Sequence, residues 1–302
     1  MNNQQIDVTL EQERTLADVV AAINSWVVGN GQAITTLRID GTECTLDRPQ
    51  TWGDRPLETI GEVHVETSAQ WQLILAHLEL VLQFVRSWET ALGNGDRPAI
   101  DSLVAQQQDL ARHLQEHVEL IFLELPQTPL HDVFSTTGDP SAMTSPPAGS
   151  EVLGRQLNAL AALIEQRVNE IRHPGREAAA TAGLISALLN DVREVSVLLQ
   201  TGKDQQAMGN VVRFSELVEK LLRIVPHLAR EDEQFRARIE RGGDLDTITT
   251  ALNSTLRELV DALDVRDSVL IGDLLEYEIA SRIEELIGVI PTGPGNAAGH
   301  GQ

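Results

Sequence analysis

One short segment has residue types that could bind a metal ion and carry out hydrolysis. It reads His113-Leu114-Gln115-Glu116-His117, so its two histidines are four positions apart. In an α-helix, residues i and i+4 share one face, and imidazole nitrogens are good zinc ligands. A glutamate between them can activate a zinc-bound water. The spacing therefore supports a metal-dependent hydrolase as one hypothesis for the function.

The order H-x-x-E-H resembles the zinc-binding helix of inverted metallopeptidases of the pitrilysin class. The resemblance implies a third ligand from a glutamate on a later helix, and Glu194 is the candidate for that role. It covers only the HLQEH segment, whereas those enzymes build the site in a sizeable α/β domain. The apolar residues around this segment recur at helical spacing, which predicts a helix of a bundle. On that helix His113 and Glu116 face outward, and His117 borders the apolar face. We therefore favour a solvated helix face, with no catalytic residue, metal or cofactor.

Three aspartates, Asp96, Asp204 and Asp267, each precede apolar residues that lie four, seven and eight positions later. That spacing places the apolar side chains on one helical face. An aspartate at the start of such a helix caps it, because the carboxylate accepts hydrogen bonds from unpaired backbone N–H groups. Matched acids could instead form a metal or recognition site, but capping is the simpler interpretation. The three segments predict helical hairpins that repeat along the chain.

The last hairpin contains the only tyrosine of the chain. Tyr277 lies in the segment DLLEYEI, next to Glu276 and close to Leu274. Tyrosine is common at the centre of protein interfaces, because its ring is large and amphipathic. The alternative is a ring that closes the end of the core with its hydroxyl in water. We predict Leu274, Glu276 and Tyr277 as candidate interface residues.

The first 66 residues have the pattern of a small α+β domain. Alternating apolar residues predict strands at 4–9, 33–39, 42–46 and 61–67, and helical spacing predicts one helix after Thr15. The turn at Asp40-Gly41 is typical of a hairpin between the second and third strands. The element order β-α-β-β-β is β-grasp-like, and such a likeness carries no function by itself.

After Ser68 the apolar residues recur every three or four positions, which predicts helices. We divide this region into a helical hairpin at 67–125, a linker rich in Pro, Ser and Thr at 126–150, a helical bundle at 151–290 and a disordered tail at 291–302. The predicted class is α+β: a small N-terminal α+β domain followed by a predominantly α-helical bundle of repeated antiparallel hairpins. Some stripes have heptad spacing, which favours pairing with another chain and predicts a homodimer.

The composition excludes several classes of partner. The formal net charge is −22, so nucleic acids and anionic lipid surfaces would repel this chain. We expect no membrane insertion, because no apolar run is long enough to cross a bilayer. The first residues do not have the pattern of a signal peptide, and Cys44 has no second cysteine with which to form a disulfide. We therefore expect a cytoplasmic protein.

Regular apolar helix faces without convergent polar residues are typical of proteins that bind other proteins. The leading hypothesis is therefore a non-enzymatic adaptor, scaffold or chaperone-like helical bundle that binds other proteins through its helical faces. Two alternatives stay open, namely the metal-dependent hydrolase and a small-ligand or signalling sensor with the N-terminal domain as receiver.

Overall fold

The computed structural model describes residues 13–115 and 148–291, except residues 47, 242, 243 and 266. The chain divides into two compact units, Met1–Val168 and Asn169–Gln302. The described residues are mostly helical, with a small antiparallel sheet near the N-terminus, which agrees with the predicted α+β class. The predicted strand at 4–9, residues 126–147 of the predicted linker and residues 292–302 of the predicted tail lie outside the described residues.

In the described part of the first unit, a helix packs on a three-stranded sheet. Helix α1 spans Leu16–Gly29, and the strands are β1 (Gln32–Ile39), β2 (Thr42–Cys44) and β3 (Val63–Ala69). The strand order is β2-β1-β3, and both pairs are antiparallel. Since the β-grasp likeness also needs the strand predicted at 4–9, it stays a prediction.

The start of α1 is fixed by a capping box. The Thr15 hydroxyl accepts a hydrogen bond from Asp18 N at 3.3 Å, and the Asp18 carboxylate accepts one from Thr15 N at 2.9 Å. Each bond satisfies a backbone N–H group that the helix leaves without a partner. The core between α1 and the sheet contains aliphatic residues and a tryptophan: Leu16, Val20, Val27, Ile34, Leu37, Ile39, Trp52 and Val65.

Asp40 connects the turn between β1 and β2 to the chain that leads into β3. Its carboxylate accepts hydrogen bonds from Gly61 N at 2.8 Å and Glu62 N at 3.0 Å. Arg55 pairs with the same carboxylate at 2.8 Å. Donors and a positive charge stabilise the ionised form, so the pKa of Asp40 lies below its usual value, with Glu62 N as the largest cause.

Long helices follow the sheet. Helix α2 spans Gln70–Asn94, α3 spans Arg97–Gln115 and α4 spans Ala148–Arg172. Gly95 ends α2 in the left-handed conformation, with φ +62, which glycine adopts without strain. The buried face of α4 consists of aliphatic residues at helical spacing: Leu153, Leu157, Leu160, Ile164, Val168 and Ile171.

The second unit contains the end of α4 and the helices that follow it. These are α5 (Pro174–Arg193), α6 (Val195–Gln200), α7 (Asp204–Glu231), α8 (Glu233–Glu240), α9 (Asp244–Asp264), α10 (Ser268–Asp273) and α11 (Ala280–Val289). A π-helical segment, Leu274–Ile279, joins α10 to α11. Their apolar faces form one core that extends from Ala178 to Ile290 along the sequence. None of the helices in the described residues has the length and apolar content that a membrane span needs.

A buried carboxylate of the second unit pairs with a half-buried arginine where the end of α4 faces α7. Glu170 is 0% exposed, and its carboxylate accepts hydrogen bonds from Arg223 Nε at 2.9 Å and a terminal nitrogen of Arg223 at 3.2 Å. Two parallel bonds of this kind fix both distance and orientation. A buried carboxylate needs such a partner, because removal from water is costly for a charge.

Candidate functional site

The helix that carries Tyr277 has an unusual spacing of buried residues. Ile271, Leu275, Ile279 and Ile283 follow one another at intervals of four, and each is at most 2% exposed. In a straight α-helix each step of four residues overshoots a full turn by about 40°, so three steps would turn the last residue away from the core. A π turn takes up one additional residue and cancels much of this drift. The spacing therefore accounts for the π segment Leu274–Ile279, in which Ala280 N donates to Leu275 O.

An exposed row runs parallel to the buried one, also at intervals of four. Its members are Val269, Asp273, Tyr277, Ser281 and Glu285. Val269 is 62% exposed and Tyr277 is 64% exposed, and Leu270 beside them is 42% exposed. The ring of Tyr277 thus lies in solvent and does not close the core. We call Val269, Leu270, Asp273, Glu276 and Tyr277 the Tyr277 surface.

The Tyr277 surface is acidic as well as apolar. The charge of Glu276 and a hydrogen bond to its carboxylate are the main reasons that the pKa of Tyr277 is raised above its usual value. Asp273 adds to this effect, because a nearby negative charge opposes loss of the phenol proton. Glu278 is paired with Arg282 at 2.7 Å. Asp273 and Glu276 therefore supply the negative charge beside the ring.

Two local features hold this helix in place. The Asp267 carboxylate accepts hydrogen bonds from Val269 N at 3.1 Å and Leu270 N at 3.0 Å, which caps α10. Gly272 is buried against α6, and a Cβ atom built on it would lie 2.3 Å from the Cβ of Ser196. Only a glycine permits the two helices to approach this closely. The exposed row is therefore displayed on a helix with a defined start and a tight packing contact.

The predicted site residues fall into different environments. Tyr277 is exposed and Glu276 beside it is half-buried, and their role in an interface stays a prediction. Leu274 is 5% exposed and belongs to the core, so its predicted place in the interface is corrected. The reason is the helical spacing: Leu274 and Leu275 follow buried Ile271 by three and four positions and share its face, whereas Tyr277 is turned away from that face.

The three predicted helix caps also differ from one another. The Asp96 carboxylate accepts a hydrogen bond from Ala99 N at 3.1 Å at the start of α3, and Asp267 caps α10. Asp204 is instead the first residue of α7, and Lys203 occupies the cap position without a side-chain hydrogen bond. The chain enters α7 one residue earlier than the aspartate pattern predicts, after Gly202 with its φ of +72.

The residues of the proposed zinc site are only partly within the described structure. His113 is a backbone position of helix α3, whereas Glu116 and His117 lie outside the described residues. Glu194 is exposed at the junction between α5 and α6. Within residues 13–115 and 148–291, apart from the gaps noted above, no three His, Cys, Asp or Glu side chains are grouped as metal ligands. The zinc hypothesis therefore stays a hypothesis.

Two parts of the chain match known families. Residues 1–69 match the family described as the TP0873 N-terminal domain. Residues 179–288 match a domain of unknown function, DUF8042. The second match contains the whole Tyr277 surface, together with Gly272 and Ser196. No curated protein matches the chain, and no solved structure does.

Sequence reasoning missed Val269, Leu270, Asp273 and Gly272 as parts of the site. The apolar residues Val269 and Leu270 stand next to Ile271 in the sequence, so composition alone does not separate surface from core. The signal that separates them is the repeated interval of four between Ile271 and Ile283. An interval of four that does not alternate with three indicates a helix that departs from regular α geometry.

Proposed function

We propose that this chain is a non-enzymatic adaptor, scaffold or chaperone-like helical bundle that binds another protein through the Tyr277 surface. The observation that carries the proposal is that Val269, Leu270 and, two helical turns later, Tyr277 are all exposed on one side of this helix. Single exposed apolar residues are ordinary on protein surfaces. An exposed tyrosine that shares one side of a helix with two exposed aliphatic side chains is instead typical of an interface centre.

The rigidity of this helix supports the proposal. Binding costs free energy for every side chain and segment that has to be ordered. Here the backbone is already fixed by the Asp267 cap and by the contact between Gly272 and Ser196. Tyrosine itself has few rotatable bonds, so burying it at an interface costs less than burying a long flexible side chain.

The experiment is capture of binding proteins from native cells with the full-length chain, followed by quantitative mass spectrometry. The variants are wild type, Tyr277→Ala and the matched control Leu184→Ala, which truncates a residue 58% exposed on α5. Loss of an interface centre costs about 2 kcal/mol or more, so recovery of the true partner should fall more than tenfold with Tyr277→Ala. The control should retain it. Equal recovery of every captured protein with Tyr277→Ala would refute the proposal.

The proposal has two further parts. The heptad spacing in the sequence supports a homodimer formed through other helical faces. Light scattering after size exclusion tests it, and a monomer over a wide concentration range would contradict it. Cys44 is the only cysteine, which fits a reducing compartment, and we place the protein in the cytoplasm on that basis.

A further inference from the structure

We infer that the partner of the Tyr277 surface presents a basic amphipathic segment, in which lysine or arginine residues flank an apolar side chain. The inference rests on the proposed function and adds the chemistry of the partner.

The charge around the surface has one sign. Between Val269 and Ser281 the chain has three acidic residues, Asp273, Glu276 and Glu278, and no lysine or arginine. Residues 258–268 add four acidic residues and one arginine. Because Arg282 already pairs with Glu278, the carboxylates next to Tyr277 that a partner can reach are those of Asp273 and Glu276. A partner that covers the ring has to supply positive charge, or these carboxylates lose their contact with water without a replacement.

The order of residues along the exposed row describes the partner in more detail. Apolar Val269 is followed by Asp273 one turn later and by Tyr277 one turn after that. The ammonium or guanidinium group of a partner can pair with Asp273 and Glu276 and also lie over the face of the Tyr277 ring. The methylene groups of a second basic side chain, placed about one turn earlier, can cover Val269, as long basic side chains commonly do on apolar surfaces. An apolar side chain between two such residues would contact Leu270 and the edge of the ring.

The same charges argue against other occupants. A second copy of this surface would place Asp273 and Glu276 against their equivalents. Like charges that face each other in an interface cost roughly several kcal/mol of binding free energy. Nucleic acids and anionic lipid surfaces are repelled for the same reason. Among protein partners, a basic segment is therefore the one that the electrostatics favour.

The test uses the full-length chain and three helical peptide probes, measured by isothermal titration calorimetry. The probes are an amphipathic peptide of leucine and lysine, its analogue with glutamate in place of lysine, and a lysine-rich peptide without an apolar face. We expect the leucine–lysine peptide to bind with one-to-one stoichiometry. Its affinity should fall about tenfold or more in Tyr277→Ala and in the double variant Asp273→Asn/Glu276→Gln. Leu184→Ala should bind as wild type does.

The other two probes separate a defined site from general attraction to an acidic protein. The lysine-rich peptide should bind weakly, lose affinity steeply with salt and show no dependence on Tyr277. The inference is overturned if the leucine–lysine peptide binds Tyr277→Ala and the double variant as tightly as wild type, or if the glutamate analogue binds equally well.

Failure of this inference can be told apart from failure of the proposed function. If capture from cells depends on Tyr277 but the affinity for the leucine–lysine peptide does not, the surface binds a partner of other chemistry, which includes a second copy. The charge argument is then wrong. If neither experiment depends on Tyr277, both proposals fall.

Discussion

Replacing Gly272 with alanine should destabilise the second unit, although the same change stabilises most helices. At an unhindered helical position, alanine is favoured over glycine by about 1 kcal/mol. At Gly272 the new Cβ would lie 2.3 Å from Ser196 Cβ and 3.0 Å from Ser196 Oγ. Carbon atoms pack at about 3.5–4.0 Å, so α10 and α6 would have to move apart by more than about 1 Å. Overpacking of this kind costs about 1–3 kcal/mol, which leaves a net loss of up to about 2 kcal/mol.

The assay is urea unfolding of the full-length chain, followed by circular dichroism, with the slope and midpoint fitted for each variant. Gly183→Ala is the matched control, because Gly183 is an exposed residue of α5 and a Cβ there has no neighbour within 4 Å. This control should be more stable than wild type by up to about 1 kcal/mol. Adding Ser196→Gly to Gly272→Ala removes the opposing Cβ and should restore part of the lost stability. A Gly272→Ala variant as stable as wild type would show that α10 and α6 do not approach as described.

Three further predictions concern ionisable groups. The absorbance change of the single tyrosine at alkaline pH should have its midpoint above about 10, and Glu276→Gln should lower it. Arg223→Ala should lower the free energy of unfolding by at least about 1–3 kcal/mol, because buried Glu170 loses its bidentate partner. Since the pKa of Asp40 is lowered in the folded state, its stabilising effect is complete above the unfolded pKa of about 3.9 and disappears as the pH falls through the folded value. Asp40→Asn should therefore be less stable than wild type at neutral pH, and the two should converge below about pH 4 in acid-unfolding curves.

Each of these measurements has an outcome that contradicts its premise. An unchanged tyrosine midpoint in Glu276→Gln would show that the two side chains do not interact. Arg213→Ala, at an exposed position of the same helix, is the control for Arg223→Ala, and equal effects of the two would argue against the buried pair. Parallel acid-unfolding curves for wild type and Asp40→Asn would mean that Asp40 has no special environment.

Features set by neighbouring residues were predictable from the sequence. The helix after Thr15 and the hairpin turn at Asp40-Gly41 follow from capping and turn chemistry, which act within four residues. The buried stripe of α4 follows from aliphatic residues on one face and polar residues elsewhere. In each case local propensity and tertiary packing require the same structure.

The sequence was a poorer guide where packing opposes local preference. Proline usually ends or breaks a helix, yet α7 continues through Pro226 to Glu231. Burial of Ile224 and Leu228 on either side of the proline compensates for its missing N–H donor. In α2, apolar residues occur on several faces, and composition alone does not show that Leu80 is 36% exposed.

In the candidate site, too, the sequence alone does not decide which residues face outward. Val269, Leu270 and Ile271 are consecutive apolar residues, so composition does not show which of them face outward. Tyr277 and Glu276 could be selected from their chemistry, whereas Leu274 shares the apolar helical face of Ile271 and Leu275 and was wrongly included in the interface. The identity of a partner depends on a second molecule, which the chain specifies only through the charge and shape of its surface.

The π segment holds one residue more than a regular helix would need between Ile271 and Ile283. Deleting a single residue between Leu274 and Ile279 would leave eleven steps between them, which in a regular α-helix is three turns and about 20°. Ile283 and Leu286, both fully buried, would then still face the core. Inserting a further residue would instead rotate everything after it by about 100° unless a second π turn formed. A one-residue deletion in this segment should therefore be tolerated better than a one-residue insertion.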